Sequence, residues 1–182
     1  MDVASEVIDW LHAHVDDPRF EFHHLAAQNH LYNPDGVSLR EIERLPFPDR
    51  TFDLISLFSV FTHLDPDDYV AMLRLLRHYA APHSKLLFSL FIRNTDALEQ
   101  ALKAALTSDD PQRVAQARAA IDAAQQNPPP RFVDAIPDKP LMRAVYQRDY
   151  ALELVGGTGW ALESLNSPVP PHIQHYMICD PI

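Results

Sequence analysis

The chain has 182 residues, 47% of them hydrophobic and 22% charged, which is the composition of one globular domain with a buried core. Its formal net charge of −10 argues against a nucleic-acid backbone or an anionic membrane as the main partner. The single cysteine, Cys179, excludes an intrachain disulfide framework and favours a cytoplasmic location, and no stretch approaches the roughly 20 apolar residues that span a bilayer.

The N-terminal part of the chain predicts one helix followed by two strands. Ser5 has the residue type of a helix N-cap, and apolar residues at helical spacing follow it as far as Asp17. The segment FEFHHL (Phe20–Leu25) predicts a strand, and the turn residues of YNPDG come after it. A second strand is predicted over Phe52–Phe58.

A capped helix and a buried strand are predicted in the middle of the chain. Asp65 is the expected N-cap, Pro66 occupies the first helical position, and Pro82 is expected to end the helix. Lys85–Ile92 is almost entirely apolar, which is typical of a strand that is covered on both faces.

Residues 95–140 predict an insertion. Two alanine-rich helices are expected over 96–106 and 111–126, and the prolines of 127–140 predict a stiff, extended connection. The insertion belongs to the same single domain, residues 1–182.

The C-terminal part predicts a helix and two final strands. The helix covers Gln147–Val155, and the VGGTGW segment that follows it indicates a helix C-cap and turn rather than a phosphate-binding loop. The strands Trp160–Leu165 and His172–Cys179 are joined by a short proline-containing loop, so we expect them to be antiparallel.

Strands that alternate with helices predict an α/β domain with a mainly parallel sheet. Four stretches of the sequence resemble the class I S-adenosylmethionine-dependent methyltransferases. They are MDVASEVIDWL, FEFHHLAAQNHLYNPDG, LPFPDRTFDLISLFSVFTHLDPDD, and GTGWALESLNSP together with IQHYMIC. The resemblance implies a Rossmann-like fold with a C-terminal antiparallel hairpin and S-adenosylmethionine as the cofactor.

The same resemblance implies a first strand and a glycine-rich turn ahead of Asp2, and the chain has only four glycines. We therefore expect a fold that lacks its first strand. Three explanations remain open: an N-terminally truncated sequence, a genuine fragment completed by another chain, or a different α/β binding module.

The resemblance also implies where the cofactor binds. Asp2, with Val3 beside it, would accept hydrogen bonds from the ribose hydroxyls, although an acid at this position can equally start a helix. Ala26, Ala27 and Gln28 would line the adenine, where the family usually has an acidic residue near Ala26.

The segment after the Phe52–Phe58 strand would face the methyl donor and the acceptor. Ser59 and Phe61 are the implied cofactor contacts, and His63 is a candidate general base. The alternative for His63 is a local backbone contact near Asp65. In this fold the 95–140 insertion can cover the acceptor site as a lid, or it can be a solvated pair of helices.

None of the ten histidines has the spacing of a metal site, so no metal is predicted. The expected function is methyl transfer to a small molecule or a glycan. The alternative is a non-catalytic methyltransferase-like interaction subunit or fragment. Because the cofactor pocket is incomplete, we expect this chain alone to bind S-adenosylmethionine poorly; the oligomeric state is left open.

Overall fold

Six strands form one sheet in the computed structural model, which describes residues 1–93, 105–126, 128–136, 138–169 and 171–182. The helices are α1 (Ser5–His14), α2 (Pro66–Arg77), α3 (Pro111–Gln126) and α4 (Arg148–Val155), with 3-10 turns at Leu39–Glu41 and Phe61–His63. The strands are β1 (Phe52–Leu57), β2 (Ala80–Arg93), β3 (Phe132–Asp134), β4 (Ala144–Gln147), β5 (Trp160–Asn166) and β6 (His175–Pro181). Within these ranges no helix combines the length and the apolar character that crossing a membrane requires.

The sheet is mixed, and β2 is its central strand. β2 pairs in parallel with β1 and β4, and antiparallel with β6. β5 and β6 form the antiparallel hairpin that the sequence predicted, and β3 pairs antiparallel with β4. The predicted α/β fold with a C-terminal hairpin is therefore confirmed, with its parallel part at β1, β2 and β4.

The core packs mainly against one face of β2, where the alternating residues Leu86, Phe88 and Leu90 are fully buried. The other face is covered less completely than predicted, since Ser89 is buried there but Lys85 and Leu87 are only partly buried. Cys179 of β6 is opposite Leu86 and is also fully buried, and this burial raises the pKa of its thiol to about 12. Its thiolate is therefore strongly disfavoured at neutral pH, which makes this cysteine a poor nucleophile.

Helix α2 is capped as predicted and packs against the sheet. The Asp65 side chain accepts a hydrogen bond from the Asp68 N–H at 2.8 Å, and Pro66 begins the helix. The buried face of α2 includes Tyr69 and Leu73. The Leu73 carbonyl accepts a hydrogen bond from Trp160 Nε1 of β5 at 2.9 Å, which ties the helix to the terminal hairpin.

Helix α1 is attached much less firmly. Ile8 is its one buried residue, whereas Val7 and Trp10 are 45% and 57% exposed. The predicted cap is wrong by one position, because Ser5 is the first helical residue and Ala4 is the N-cap. Among the described residues no side chain caps α1; the Ala4 N–H donates to Oδ1 of Asp2 at 2.9 Å, which fixes the turn that leads into the helix.

The strand predicted over Phe20–Leu25 does not form. This segment makes a single parallel bridge, between His24 and Asp2, in which the Leu25 N–H donates to the Asp2 carbonyl at 2.8 Å. The physical reason is the partner: α1 begins three residues after Asp2, so little extended backbone is available to pair with.

Two predicted boundaries move around β2. Helix α2 ends at Arg77 rather than at Pro82, and Pro82 lies inside β2. The pairing with β1 is irregular here, since Phe52 is opposite Ala80 whereas Leu54 is opposite Lys85. A proline lacks the N–H that a regular ladder needs, and this irregularity accommodates it.

The proline-rich connection contains a strand that the sequence did not predict. β3 pairs with β4, and the Phe132 ring packs 5.2 Å from the Tyr146 ring, centroid to centroid. The predicted helix over 111–126 is confirmed as α3. Most of the helix predicted over 96–106 lies outside the described residues, which include only its last two positions, both helical.

We expect Leu86→Ala to lower the free energy of unfolding by about 2–5 kcal/mol, because it leaves a cavity in the fully buried centre of the sheet. Leu54→Ala on the neighbouring strand is the matched control, since Leu54 is 61% exposed and its truncation should cost well under half as much. Urea unfolding of both variants measures the difference, and equal losses would contradict the assignment of β2 as the core strand.

Candidate active site

A cleft of about 950 Å³ runs along β1. Five consecutive residues, Leu54–Phe58, line it. Successive side chains of a strand point to opposite faces of the sheet. A cleft that contacts every residue in a row, rather than every second one, therefore lies along the edge of the strand. β1 pairs with β2 on its other edge, and among the described residues no strand pairs with the edge at the cleft.

The chain turns sharply where β1 ends. Ser59 has a φ of 57°, a left-handed conformation that costs a non-glycine residue about 1–3 kcal/mol. Its N–H donates to Oγ of Ser89 at 2.8 Å, and Gln174 bonds both serine hydroxyls. These contacts from β2 and from the segment before β6 hold the turn, but they also occupy the Ser59 hydroxyl.

His63 lies at the cleft just beyond this turn. Its Nδ1 is 2.9 Å from the carbonyl oxygen of Leu141, in the loop between β3 and β4. A carbonyl oxygen only accepts hydrogen bonds, so Nδ1 carries the proton and Nε2 keeps a free lone pair in the neutral ring. The Tyr32 ring, also at the cleft, stands perpendicular to the imidazole with the ring centroids 6.3 Å apart.

Asp2 reaches the cleft from the segment before α1. Its backbone is fixed by the bridge to the His23–Leu25 segment, with its own N–H donating to the His23 carbonyl at 3.2 Å. One carboxylate oxygen, Oδ1, accepts the hydrogen bond from the Ala4 N–H, which leaves Oδ2 available to accept a hydrogen bond at the cleft.

The loop from Ala27 to Val37 forms a second wall. Gly36 packs so closely that an added Cβ would lie 2.6 Å from backbone atoms of Ala27 and Gln28, so this position needs glycine. The Gln28 side chain donates to the Pro34 carbonyl at 3.0 Å. The side-chain Nε2 of Gln28 is therefore directed into the loop, and its side-chain oxygen, Oε1, is the group left for a ligand.

The structure brings most of the predicted site residues together, but not all of them. Those that line the cleft are Asp2, Val3, Ala27, Gln28, Ser59 and His63. Ala26 is exposed and does not line it. Phe61 is fully buried, with its ring centroid 4.2 Å from that of Phe88, so it is a core residue. Thr62 is likewise buried, and its hydroxyl donates to the Ser59 carbonyl at 2.8 Å.

Two residues at the cleft were missed by the sequence analysis. Leu141 reaches it from a loop 78 residues beyond His63. Arg40 bridges to Asp65 at 2.8 Å, to Asp68 at 2.9 Å and to Asp67 at 3.3 Å. No local pattern could have revealed either residue, because their partners are distant in the sequence.

Arg40 balances the negative charge at this end of the cleft. The pKa of Asp68 is nevertheless raised. Burial of its carboxylate is the main cause and the nearby Asp65 carboxylate adds to it, while the hydrogen bond from Arg40 opposes the shift only in part.

Among the described residues, no group of three or more His, Cys, Asp or Glu side chains is arranged to hold a metal ion.

Residues 3–88 match the family model of a methyltransferase domain. The matched part extends from α1 through β1 and α2 into β2, and it contains every predicted cofactor residue except Asp2. The match confirms the resemblance to the class I methyltransferases, whose cofactor is S-adenosylmethionine.

Solved structures share the fold at low sequence identity. A structure described as a pericyclic reaction enzyme is 10% identical with a TM-score of 0.52, and the match covers 100% of this chain and 35% of that one. LepI in complex with SAM is 10% identical with a TM-score of 0.51 and the same coverage. The PH0226 protein from Pyrococcus horikoshii OT3 is 12% identical with a TM-score of 0.51, covering 99% of this chain and 69% of that one. The chain thus spans about a third of the length of the first two proteins.

We expect Asp68→Asn to gain stability relative to the wild type as the pH rises from 3 to 7. The folded-state pKa of Asp68 is raised, so the protonated form favours folding and this contribution is lost as the pH rises above the unfolded pKa. Asparagine has no proton to lose. Urea unfolding at both pH values tests this, with Asp67→Asn (side chain 78% exposed) as the control. A difference that stays constant or shrinks with pH would contradict it.

Proposed function

We propose that this protein transfers a methyl group from S-adenosylmethionine to a small molecule or a glycan. Its residues 3–88 match the family model of a methyltransferase domain. The observation that carries the proposal is that Asp2, Gln28 and His63 all line one cleft, which runs along β1 and extends past its carboxyl end. Ligands of open α/β sheets bind at this end of the strands. A protein of similar fold, LepI, has been solved in complex with SAM, which supports the choice of cofactor.

The residues present fit one part of this cofactor. Oδ2 of Asp2 can accept from a ribose hydroxyl, and the carbonyl oxygen of Gln28 can accept from the adenine amino group. None of the chain's four glycines lines the cleft, so the described residues offer no glycine turn for the methionine end. We propose that the adenosine half of the site lies in this chain, and that binding by the chain alone is weak.

The acceptor side of the proposed site is built around His63. The cofactor, when bound, supplies an electrophilic methyl group. The neutral imidazole has a free lone pair on Nε2, which can take the proton of a hydroxyl or amine acceptor. A small or sugar-like acceptor also agrees with the net charge of −10, which disfavours a polyanionic one. A cytoplasmic location is part of the same proposal, since the lone cysteine suits a reducing compartment.

A second candidate function is a non-catalytic interaction subunit. The free edge of β1 favours it, because unpaired strand edges bind extended segments of other chains through backbone hydrogen bonds. Leu54 on this strand is 61% exposed, which adds apolar surface to that edge.

We expect calorimetric titration of this chain with S-adenosylmethionine to give a dissociation constant well above the low-micromolar range. In the same titration, Asp2→Ala should weaken binding a further ~5- to 150-fold, which corresponds to about 1–3 kcal/mol for hydrogen-bond partners left unpaired. Asp9→Ala is the control, since Asp9 is exposed on α1 and away from the cleft. Low-micromolar binding would refute the incomplete site, and equal affinities of Asp2→Ala and wild type would refute the ribose contact.

The two candidate functions are separated by an assay with labelled methyl donor and a panel of small-molecule and glycan acceptors. Transfer that His63→Gln reduces supports the methyltransferase. Cofactor binding without transfer to any acceptor supports the interaction subunit.

A further inference from the structure

We propose that Asp134 and Leu141 are positioning residues that hold His63 in its Nδ1-protonated form, leaving Nε2 as the proton acceptor at the cleft. The value of this arrangement for catalysis rests on the proposed function. The arrangement itself depends on the β3–β4 hairpin. This hairpin lies outside residues 3–88, the part of the chain that matches the methyltransferase domain.

The backbone of Leu141 is in an unfavourable conformation. Its φ is 54°, and among the described residues only Ser59 shares a positive φ without being glycine. Both residues line the cleft. Left-handed backbone costs a residue such as leucine about 1–3 kcal/mol and persists only where neighbouring contacts enforce it. Its occurrence at Leu141 therefore requires a specific restraint.

Asp134 supplies that restraint. Oδ2 of Asp134, the last residue of β3, accepts a hydrogen bond from the Leu141 N–H at 2.7 Å. The other carboxylate oxygen, Oδ1, is buried and has no hydrogen-bond partner among the described residues. Leaving Oδ1 buried without a partner costs stability even though the Asp134 side chain as a whole is only half-buried, so this position is poorly explained by stability alone.

The consequence reaches His63 through the Leu141 carbonyl. With its N–H fixed by Asp134, Leu141 directs its carbonyl oxygen to within 2.9 Å of Nδ1. Nδ1 must then donate, and the lone pair of the neutral ring is on Nε2. When a hydroxyl or amine acceptor is deprotonated, its O–H or N–H bond breaks, an Nε2–H bond forms, and the positive charge on the imidazolium is stabilised by the bond to Leu141.

A purely structural explanation is that the His63–Leu141 contact only ties the hairpin to the 3-10 turn. The hairpin has another such tie, because the Tyr146 hydroxyl donates to the Leu64 carbonyl at 2.5 Å. Since that tie does not involve His63, losing Asp134 can release the imidazole while the hairpin stays attached.

The test is nitrogen-15 NMR of the histidine side chains in this chain, with the His63 signals assigned by comparison with His63→Gln. In the wild type at a pH where the ring is neutral, we expect Nδ1 to carry the proton. Asp134→Ala should shift His63 toward the Nε2-protonated form that free histidine prefers. Asp134→Asn keeps a side-chain oxygen for the Leu141 N–H and should retain the wild-type form. Asp138→Ala, an exposed acid in the same loop, is the matched control.

A wild-type His63 protonated on Nε2 would overturn the proposal, whatever the variants do. An unchanged His63 signal in folded Asp134→Ala, with folding checked by near-UV circular dichroism, would overturn it as well. These readouts need no methyl transfer, so they are independent of the proposed function. If the protein is an active methyltransferase, Asp134→Ala should also reduce kcat by about 10²-fold with little change in KM for the cofactor.

Discussion

The pairing of β2 on both of its edges is the constraint on which the structure depends. Along Leu86–Phe88, β2 has β1 on one edge and β6 on the other, although these two strands lie far apart in the sequence. The same arrangement brings Gln174, just before β6, onto Ser59, just after β1. The sharp turn that delivers His63 to the cleft is therefore held by side chains that only this strand order brings together.

The elements predicted correctly are those whose signals are local. The apolar run of β2, the Asp65 cap with Pro66, and the short loop between the final strands each depend on residues close in sequence. The strand expected over Phe20–Leu25 failed because strand formation depends on a partner, and Asp2 offers a single bridge. β3, with three residues, is too short to show any periodicity.

The resemblance to a family indicated which segments form the site better than it indicated which side chains face it. Phe61 and His63 lie two residues apart in one 3-10 turn, yet Phe61 is in the core and His63 is at the cleft. Pattern alone cannot assign the faces of so short a turn. Leu141 could not have been found at all, because its position depends on a hairpin and on a backbone conformation that leucine rarely adopts.

The weak attachment of α1 has an energetic consequence for any ligand of the cleft. α1 contributes one buried side chain, and the segment before it is fixed by a single bridge. Such a region opens locally at a free energy far below that of global unfolding. A ligand that contacts Asp2 must therefore order this wall as it binds, so part of its interaction energy is lost as conformational entropy. Binding and local folding would then form one coupled equilibrium, with a larger negative heat-capacity change than the ligand's own contact area would give.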